Sequence, residues 1–251
     1  MTIHSDFTQR MKEYESRNQY YLQKKIPVIL RYDGKSMHTF TKHLNRPFDS
    51  VFMNTMAQTM ESVSQSIQNC VFAYCQSDEC SLLLLDTNNI QTAAWFEYRT
   101  DKLCSITASL ATYYFNKYFK ENAKRIISLN PEDNYSQILE RCTDTPALFD
   151  CRCFNLPKEE VTSYFYNRQA DCVRNSILSC GYAQFSHKEL EKVNCKGIRQ
   201  KLEEINKPWE DLPIYKQRGI CCKKEEEGWV TDYCMPLLVK EGREYLEAIL
   251  W

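Results

Sequence analysis

Short β-favouring apolar runs alternate along the first half of the chain with longer stretches in which apolar residues recur every three or four positions. The first 25 residues read as an amphipathic helix with Phe7, Met11 and Tyr14 on one face. Val28 to Asp33 is a strand, followed by a polar turn region reaching Pro47. Phe48, Phe52, Met56, Met60, Val63 and Ile67 then mark a helix with an apolar stripe, a pattern that belongs to a core rather than to a ligand box. Cys70–Gln76 and Cys80–Leu85 are two strands joined through Ser77-Asp78-Glu79, the spacing of a tight antiparallel hairpin. After a loop rich in Asn and Thr, Leu103, Ile106, Leu110 and Tyr114 mark a second helix, and Asn130-Pro131-Glu132-Asp133-Asn134 interrupts it. Leu148 to Leu156 is a fourth strand.

This order, β-α-β-β-α-β, predicts an α+β fold on a ferredoxin-like (split βαβ) sheet. Nucleic-acid polymerase palms and nucleotide cyclases are built on such a sheet, an analogy at the level of fold alone. The remaining residues continue without a linker. Pro157 suits the first turn of a helix running to about Cys180, and Ser186-His187-Lys188-Glu189 has the form of a capping box for another. Ile198, Leu202 and Ile205 mark a further helix, and Pro208 and Pro213 bracket a loop. Ile220–Lys223 and Trp229–Thr231, split by Glu225-Glu226-Glu227-Gly228, form a small late hairpin. Residues 1–156 are therefore expected to form a palm-like core, with 157–251 a helical extension packed on it in one catalytic unit.

Composition narrows the class. At 251 residues, 43% hydrophobic and 26% charged, the chain can bury a large core. A net charge of -1 gives no global attraction for polyanions, so nucleic acid would have to use a local basic patch. Thirteen cysteines at irregular spacing, without a C-x-x-C pair, read as free thiols in a reducing cytoplasm. Cys151-Arg152-Cys153 and Cys221-Cys222 lack a partner pair for zinc. No apolar run approaches the ~20 residues of a membrane helix.

Two strands end abruptly in a carboxylate, Asp33 and Asp78. Such a pair at one end of a sheet suits Mg²⁺, a hard cation that must also hold a triphosphate, and points to phosphoryl or nucleotidyl transfer through two ions. The alternative is that each Asp merely terminates a strand. Gly34 would let its backbone carbonyl approach a metal or phosphate, and Glu79 is at most an auxiliary. Arg99 and Lys102 share a face where the second long helix begins, a plausible phosphate clamp or a solvated pair. Arg168, Asp171 and Asn175 lie on one side of a later helix. Lys188, Lys192, Lys196, Arg199 and Lys201, with Lys216, Arg218, Lys223 and Lys224 further on, make the last third locally rich in cations, interleaved with Glu189, Glu191, Glu203 and Glu204.

Taken together, Arg31-Tyr32-Asp33-Gly34-Lys35-Ser36-Met37-His38-Thr39-Phe40 with Arg46-Pro47-Phe48-Asp49, then Ala73-Tyr74-Cys75-Gln76-Ser77-Asp78-Glu79, Phe149-Asp150-Cys151-Arg152 and Arg168-Gln169-Ala170-Asp171-Cys172, resemble the tRNA-His guanylyltransferase family. The likeness is collinear over nearly the whole chain. It implies a 3′-to-5′ polymerase with a palm-like fold and two Mg²⁺ ions. Such an enzyme adenylylates a tRNA 5′-monophosphate with ATP, after which the 3′-hydroxyl of GTP or another nucleoside triphosphate displaces AMP. The resemblance makes Asp33, Gly34 and Asp78 the metal ligands. It makes Lys35, Ser36, Met37, His38, Arg46, Ser77 and Asn175 the nucleotide-binding set. Arg99 and Lys102 fall at a basic pair used in activation, and Arg152, Arg168 and Lys188 are expected to contact tRNA. A cytoplasmic homotetramer is implied as well.

One departure is informative. Eukaryotic members follow Arg-Gln-Ala-Asp-Cys with a stretch containing three Asn, whereas Val173-Arg174-Asn175-Ser176-Ile177-Leu178-Ser179 keeps one. Phe185-Ser186-His187-Lys188-Glu189-Leu190 is instead similar to the bacterial and archaeal-type like proteins of the family, which are associated with template-dependent repair of 5′-truncated tRNA. Repair is the favoured expectation over G-1 addition to tRNA-His. A nucleotide cyclase and a non-catalytic RNA-binding module remain as rivals.

Overall fold

The computed structural model describes residues 2–87 and 90–250. In chain order the elements are α1 (Thr2–Ser16), β1 (Val28–Gly34), α2 (Met37–Phe40), α3 (Ser50–Ser66), β2 (Cys70–Gln76), β3 (Glu79–Leu84), α4 (Thr100–Leu129), α5 (Asn134–Thr143) and β4 (Phe149–Asn155). They continue as α6 (Val161–Gln184), α7 (Cys195–Glu204), α8 (Ile214–Arg218), β5 (Ile220–Glu225), β6 (Gly228–Asp232) and α9 (Glu244–Leu250). The six strands form one sheet, ordered β4-β1-β3-β2-β5-β6, with every neighbouring pair antiparallel.

Both faces of this sheet are covered, which explains why its central strands are apolar throughout. Val28, Leu30 and Tyr32 of β1 point to the face packed by α3 and α4, where Met56, Met60, Phe115 and Phe119 are buried. Ile29, with Phe72, Tyr74 and Leu83, points to the opposite face, packed by Phe165 of α6 and by Met235 and Leu246. A smaller cluster joins α6 to α7 through Ile177, Ile198, Leu202 and Trp209. The period-2 alternation along β1 therefore places Arg31 and Asp33 on the α6 face.

Several sequence expectations are revised. The late hairpin, which the sequence left unplaced, joins the main sheet: β5 pairs with β2 from Phe72 to Cys75, so residues beyond 157 extend the sheet built by residues before it. The Ser186 capping box forms its bonds, with Ser186 N and Oγ donating to Glu189 Oε2 at 2.8 and 2.6 Å, but it closes a turn rather than opening a helix. Leu190 is drawn into the small cluster and Lys192 adopts a left-handed φ of 60°, which stops helical propagation. The helix begins instead at α7, where Asn194 accepts from Gly197 N at 3.0 Å. The region expected to break the second long helix does so at Asn130, but it then enters an unforeseen helix, α5. The apolar face of α1 does not pack on the core, with Phe7 and Tyr14 both exposed. The loop rich in Asn and Thr includes Asn88 and Asn89, which lie outside the described residues.

Candidate functional site

Asp33 and Asp78 meet at one end of the sheet. Asp33 sits at the end of β1, opposite Glu79 of β3 and Asp150 of β4. Asp78 occupies the β2–β3 turn, and its carbonyl accepts from Gly34 N at 3.2 Å. A Cβ placed on Gly34 would lie 3.2 Å from the Asp78 Cβ and 3.1 Å from that of Met37, so glycine is what permits this approach. Ser77 holds a left-handed φ of 49° while its Oγ donates to Asp78 Oδ1 at 3.0 Å. Backbone strain of this kind is tolerated where the surrounding structure fixes a functional turn.

Electrostatics record the crowding. Burial, then the charges of Asp78, Glu79 and Asp150, push the Asp33 carboxyl up from its ordinary 3.8 to about 6, with Arg152 opposing. Burial also raises Asp78, against the Ser77 hydrogen bond and the nearby His38. Glu79 is neutralised differently, by Arg168 at 3.3 Å and Arg31 at 3.9 Å. The uncompensated negative charge therefore centres on Asp33 and Asp78.

Beside the β2–β3 turn lies a cavity of about 510 Å³ whose walls include Arg46, Gln76, Ser77, Asn175, Tyr182 and Lys216. Three predicted nucleotide contacts, Arg46, Ser77 and Asn175, thus come together from separate stretches of chain. The loop carrying Arg46 is held by buried Asp49, which accepts from Asn45 N at 3.0 Å, Phe52 N at 2.9 Å and the Tyr135 hydroxyl at 2.6 Å. On the opposite wall Ser176 Oγ donates to Lys216 O at 2.7 Å and accepts from Trp209 Nε1 at 2.9 Å, locking α6 to α8. Tyr182 carried no local signal in sequence and Lys216 stood only as one of many C-terminal cations, because both reach the cavity only through the packing of α6 and α8.

Other expected residues are placed elsewhere. Lys35 and Ser36 line a second cavity between α2 and α5, Met37 is buried in the core, and His38 is exposed near Asp78. Arg152 pairs with Asp150 at 3.7 Å beside Asp33. Arg168, expected to contact tRNA, is paired with Glu79 and Asp171, because its position on α6 faces Glu79 on β3. Lys188 lies exposed in the Ser186 turn and lines neither cavity. Arg99 and Lys102 stand apart from the carboxylates. Arg99 bridges to Tyr21, and Thr100 O lies by Cys153, toward the far end of β4. Thr112, beside Phe149 at the carboxylate end, is twelve residues further on, about 18 Å along α4 at ~1.5 Å per residue.

The donors brought together at the sheet end are hard oxygens, the carboxylates of Asp33 and Asp78, beside a cavity edged with cations and amides. That set suits polyphosphate chemistry. Among the described residues, no group of three His, Cys, Asp or Glu side chains is gathered as a metal cage, so an ion here would share its coordination with a substrate.

Comparison with known proteins agrees. The sequence model of tRNAHis guanylyltransferase (Thg1) matches residues 8–157. An uncharacterized protein, R259, of Acanthamoeba polyphaga mimivirus is 25% identical over 89% of this chain and 78% of its own length. The probable tRNA(His) guanylyltransferase of Homo sapiens is 27% identical over 69% of this chain, which spans 53% of that relative. A bacterial tRNA(His) guanylyltransferase-like protein in complex with ATP superposes with a TM-score of 0.85 at 34% identity, covering 98% of this chain and 99% of that one. Its complex with GTP gives 0.80 at 32%, with the same coverage. The Saccharomyces cerevisiae tRNA(His) guanylyltransferase, at 18% identity, 0.69, and coverage of 87% and 93%, shares the fold. A carboxylate pair at the sheet end, a polar cavity beside it and collinear motifs over the first half converge with these matches: the chain belongs to the tRNAHis guanylyltransferase family of nucleotidyltransferases.

Proposed function

We propose that the chain extends tRNA 5′ ends in the 3′-to-5′ direction and that its preferred substrate is a 5′-truncated tRNA repaired against its own template strand. The observation that carries the reading is the meeting of Asp33 and Asp78 beside the cavity lined by Arg46, Ser77 and Asn175. The like proteins of this family that bind ATP and GTP share the whole length of the chain, which supports both nucleotides as substrates here.

In the first step an oxygen of the tRNA 5′-phosphate attacks the α-phosphorus of ATP. A phosphoanhydride bond forms and pyrophosphate leaves. In the second, the 3′-hydroxyl of the incoming triphosphate attacks the phosphorus of the activated end, and AMP departs with the bonding electrons. Arg46 and Lys216 place positive charge beside the polyphosphate, and Asn175 orients it through its amide. Ser77 fixes the Asp78 carboxylate through its hydroxyl. Burial and then the charges of Asp78, Glu79 and Asp150 raise the pKa of Asp33, and a divalent cation would offset both, so the site fits Mg²⁺, which both aspartates and the Gly34 carbonyl would hold. When bound, two such ions would lower the pKa of the attacking hydroxyl and stabilise the departing oxygen. The resemblance also implies a homotetramer in the cytoplasm, which light scattering and fractionation would test. No helix among the described residues is long and apolar enough to cross a membrane.

The deciding assay offers tRNA lacking its first nucleotide beside full-length tRNA-His, with all four triphosphates. Repair predicts addition to the truncated substrate of the nucleotide complementary to the template base. Addition of G regardless of template, or activity on tRNA-His alone, would instead establish G-1 addition.

A further inference from the structure

The second cavity, about 650 Å³ between α2 and α5, has no part in the chemistry above. Its walls carry three cationic or proton-accepting side chains, Lys35, His43 and Arg141, and no carboxylate. Glu140 and Asp144 of the same segment are exposed but do not line it. Among the described residues none of the three takes part in an ion pair, whereas Arg152, Arg168, Arg199 and Lys223 are each matched by a carboxylate. Uncompensated cations gathered on one concave wall imply an anionic occupant. The rest of the lining is mixed: Ser36 and Thr39 offer hydroxyls, while Ile138 and the half-exposed Leu148 offer apolar surface. A phosphate attached to a base needs both kinds of surface.

Its location narrows the occupant further. Lys35 N donates to Leu148 O at 2.8 Å, and Leu148 directly precedes Phe149, the β4 partner of Gly34. The cavity wall thus begins one residue beyond Gly34, while the nucleotide cavity begins at Ser77, one residue before Asp78. Each hollow thus has a wall residue next in the chain to a residue of the carboxylate end, Ser77 in one and Lys35 in the other. A group-transfer site needs two substrates converging on the same atoms, and only one hollow has been assigned.

We propose that the cavity between α2 and α5 receives the phosphorylated 5′ end of the RNA strand, with Arg141 and His43 contacting its terminal phosphates. This inference rests on the transferase reading, which assigns the other cavity to the triphosphate. Binding of a short RNA hairpin bearing a 5′-monophosphate, and of its 5′-hydroxyl twin, is measured by fluorescence anisotropy across a salt series, alongside the KM for ATP. The intact chain should prefer the phosphorylated hairpin. Arg141→Gln should weaken that hairpin about tenfold and flatten the log–log salt slope by about one, as loss of a single phosphate contact does. The KM for ATP should move less than about twofold, and Arg141→Lys should restore most of the RNA affinity. His43→Ala, read the same way, guards against a folding defect confined to Arg141.

Equal affinity for the two hairpins, or an unchanged salt slope in both folded variants, overturns the inference. A parallel rise in the ATP KM overturns it too, by making this a nucleotide site. A chain that shows the predicted RNA effects yet never transfers AMP to the hairpin would uphold this cavity while refuting the transferase reading.

Discussion

Replacing Asp78 by Asn separates catalysis from stability in a way that tests the electrostatic account directly. The substitution keeps the side-chain volume and an acceptor for the Ser77 Oγ hydrogen bond, but removes one of the charges crowding Asp33. The rise of Asp33 from 3.8 to about 6 means that its ionisation opposes folding. The sign follows from the order of the two values: below about pH 4 the group is protonated in both states and no penalty exists. The penalty grows between 4 and 6 and is complete above. Its ceiling is ~3 kcal/mol at ~1.36 kcal/mol per unit. Asp33 is partly exposed and burial is the larger cause, so screening leaves on the order of 0.5–1 kcal/mol for the repulsion that Asp78→Asn relieves. For a chain of this size that is a gain of about 2 °C in Tm. Thermal unfolding in EDTA at pH 8 should show the gain, and at pH 4.5 it should shrink to a small part. Turnover should fall about a thousandfold, ~4 kcal/mol of transition-state stabilisation. A variant less stable than the parent at pH 8, or one whose gain is the same at both pH values, would refute the crowded-carboxylate account.

Protons and Mg²⁺ should compete for Asp33: the affinity for Mg²⁺, read by calorimetry, is expected to fall as pH drops through about 6, and a flat profile would argue against Asp33 as a ligand. Gly34→Ala forces Met37 and Asp78 apart from contacts of 3.1 and 3.2 Å and should cut turnover at least about tenfold while far-ultraviolet circular dichroism stays native. Asn175→Ala, on an exposed stretch of α6, should raise the KM for the nucleoside triphosphate about tenfold with Tm unchanged; an unchanged KM would remove it from the nucleotide site. Asn194→Ala deletes the bond to Gly197 N and should cost about 1 kcal/mol in urea unfolding without touching KM for either substrate.

The sequence was most readable where the local signal and the tertiary environment agreed. Val28–Gly34 and Cys70–Gln76 are apolar runs whose β preference coincides with burial on both faces, so their positions and their carboxylate ends emerged without the structure. The helical stripe from Phe52 to Val63 was legible for the same reason. The Ser186 box was misleading because its bonds satisfy a turn as well as a helix, and the choice was settled by the burial of Leu190. Arg168 carried a family motif, yet its partner Glu79 lies 89 positions away, a pairing no spacing rule supplies. His43 and Arg141 were silent for a related reason, and Lys216 stood only as one cation in a basic stretch: each becomes part of a cavity wall only when helices remote in sequence pack together.

The pairing of β5 with β2 has a consequence for how the chain can be divided. The family pattern matches up to residue 157, but the edge of β2 from Phe72 to Cys75 that β3 leaves open is paired only by β5, which begins at Ile220. A fragment cut at the end of the pattern would bare the rim of a hydrophobic sheet and invite self-association, besides losing the helix that bears Asn175. Asp33 and Asp78 and the strand that closes the sheet beside β2 thus come from different parts of the polypeptide, and the later part cannot be dispensed with.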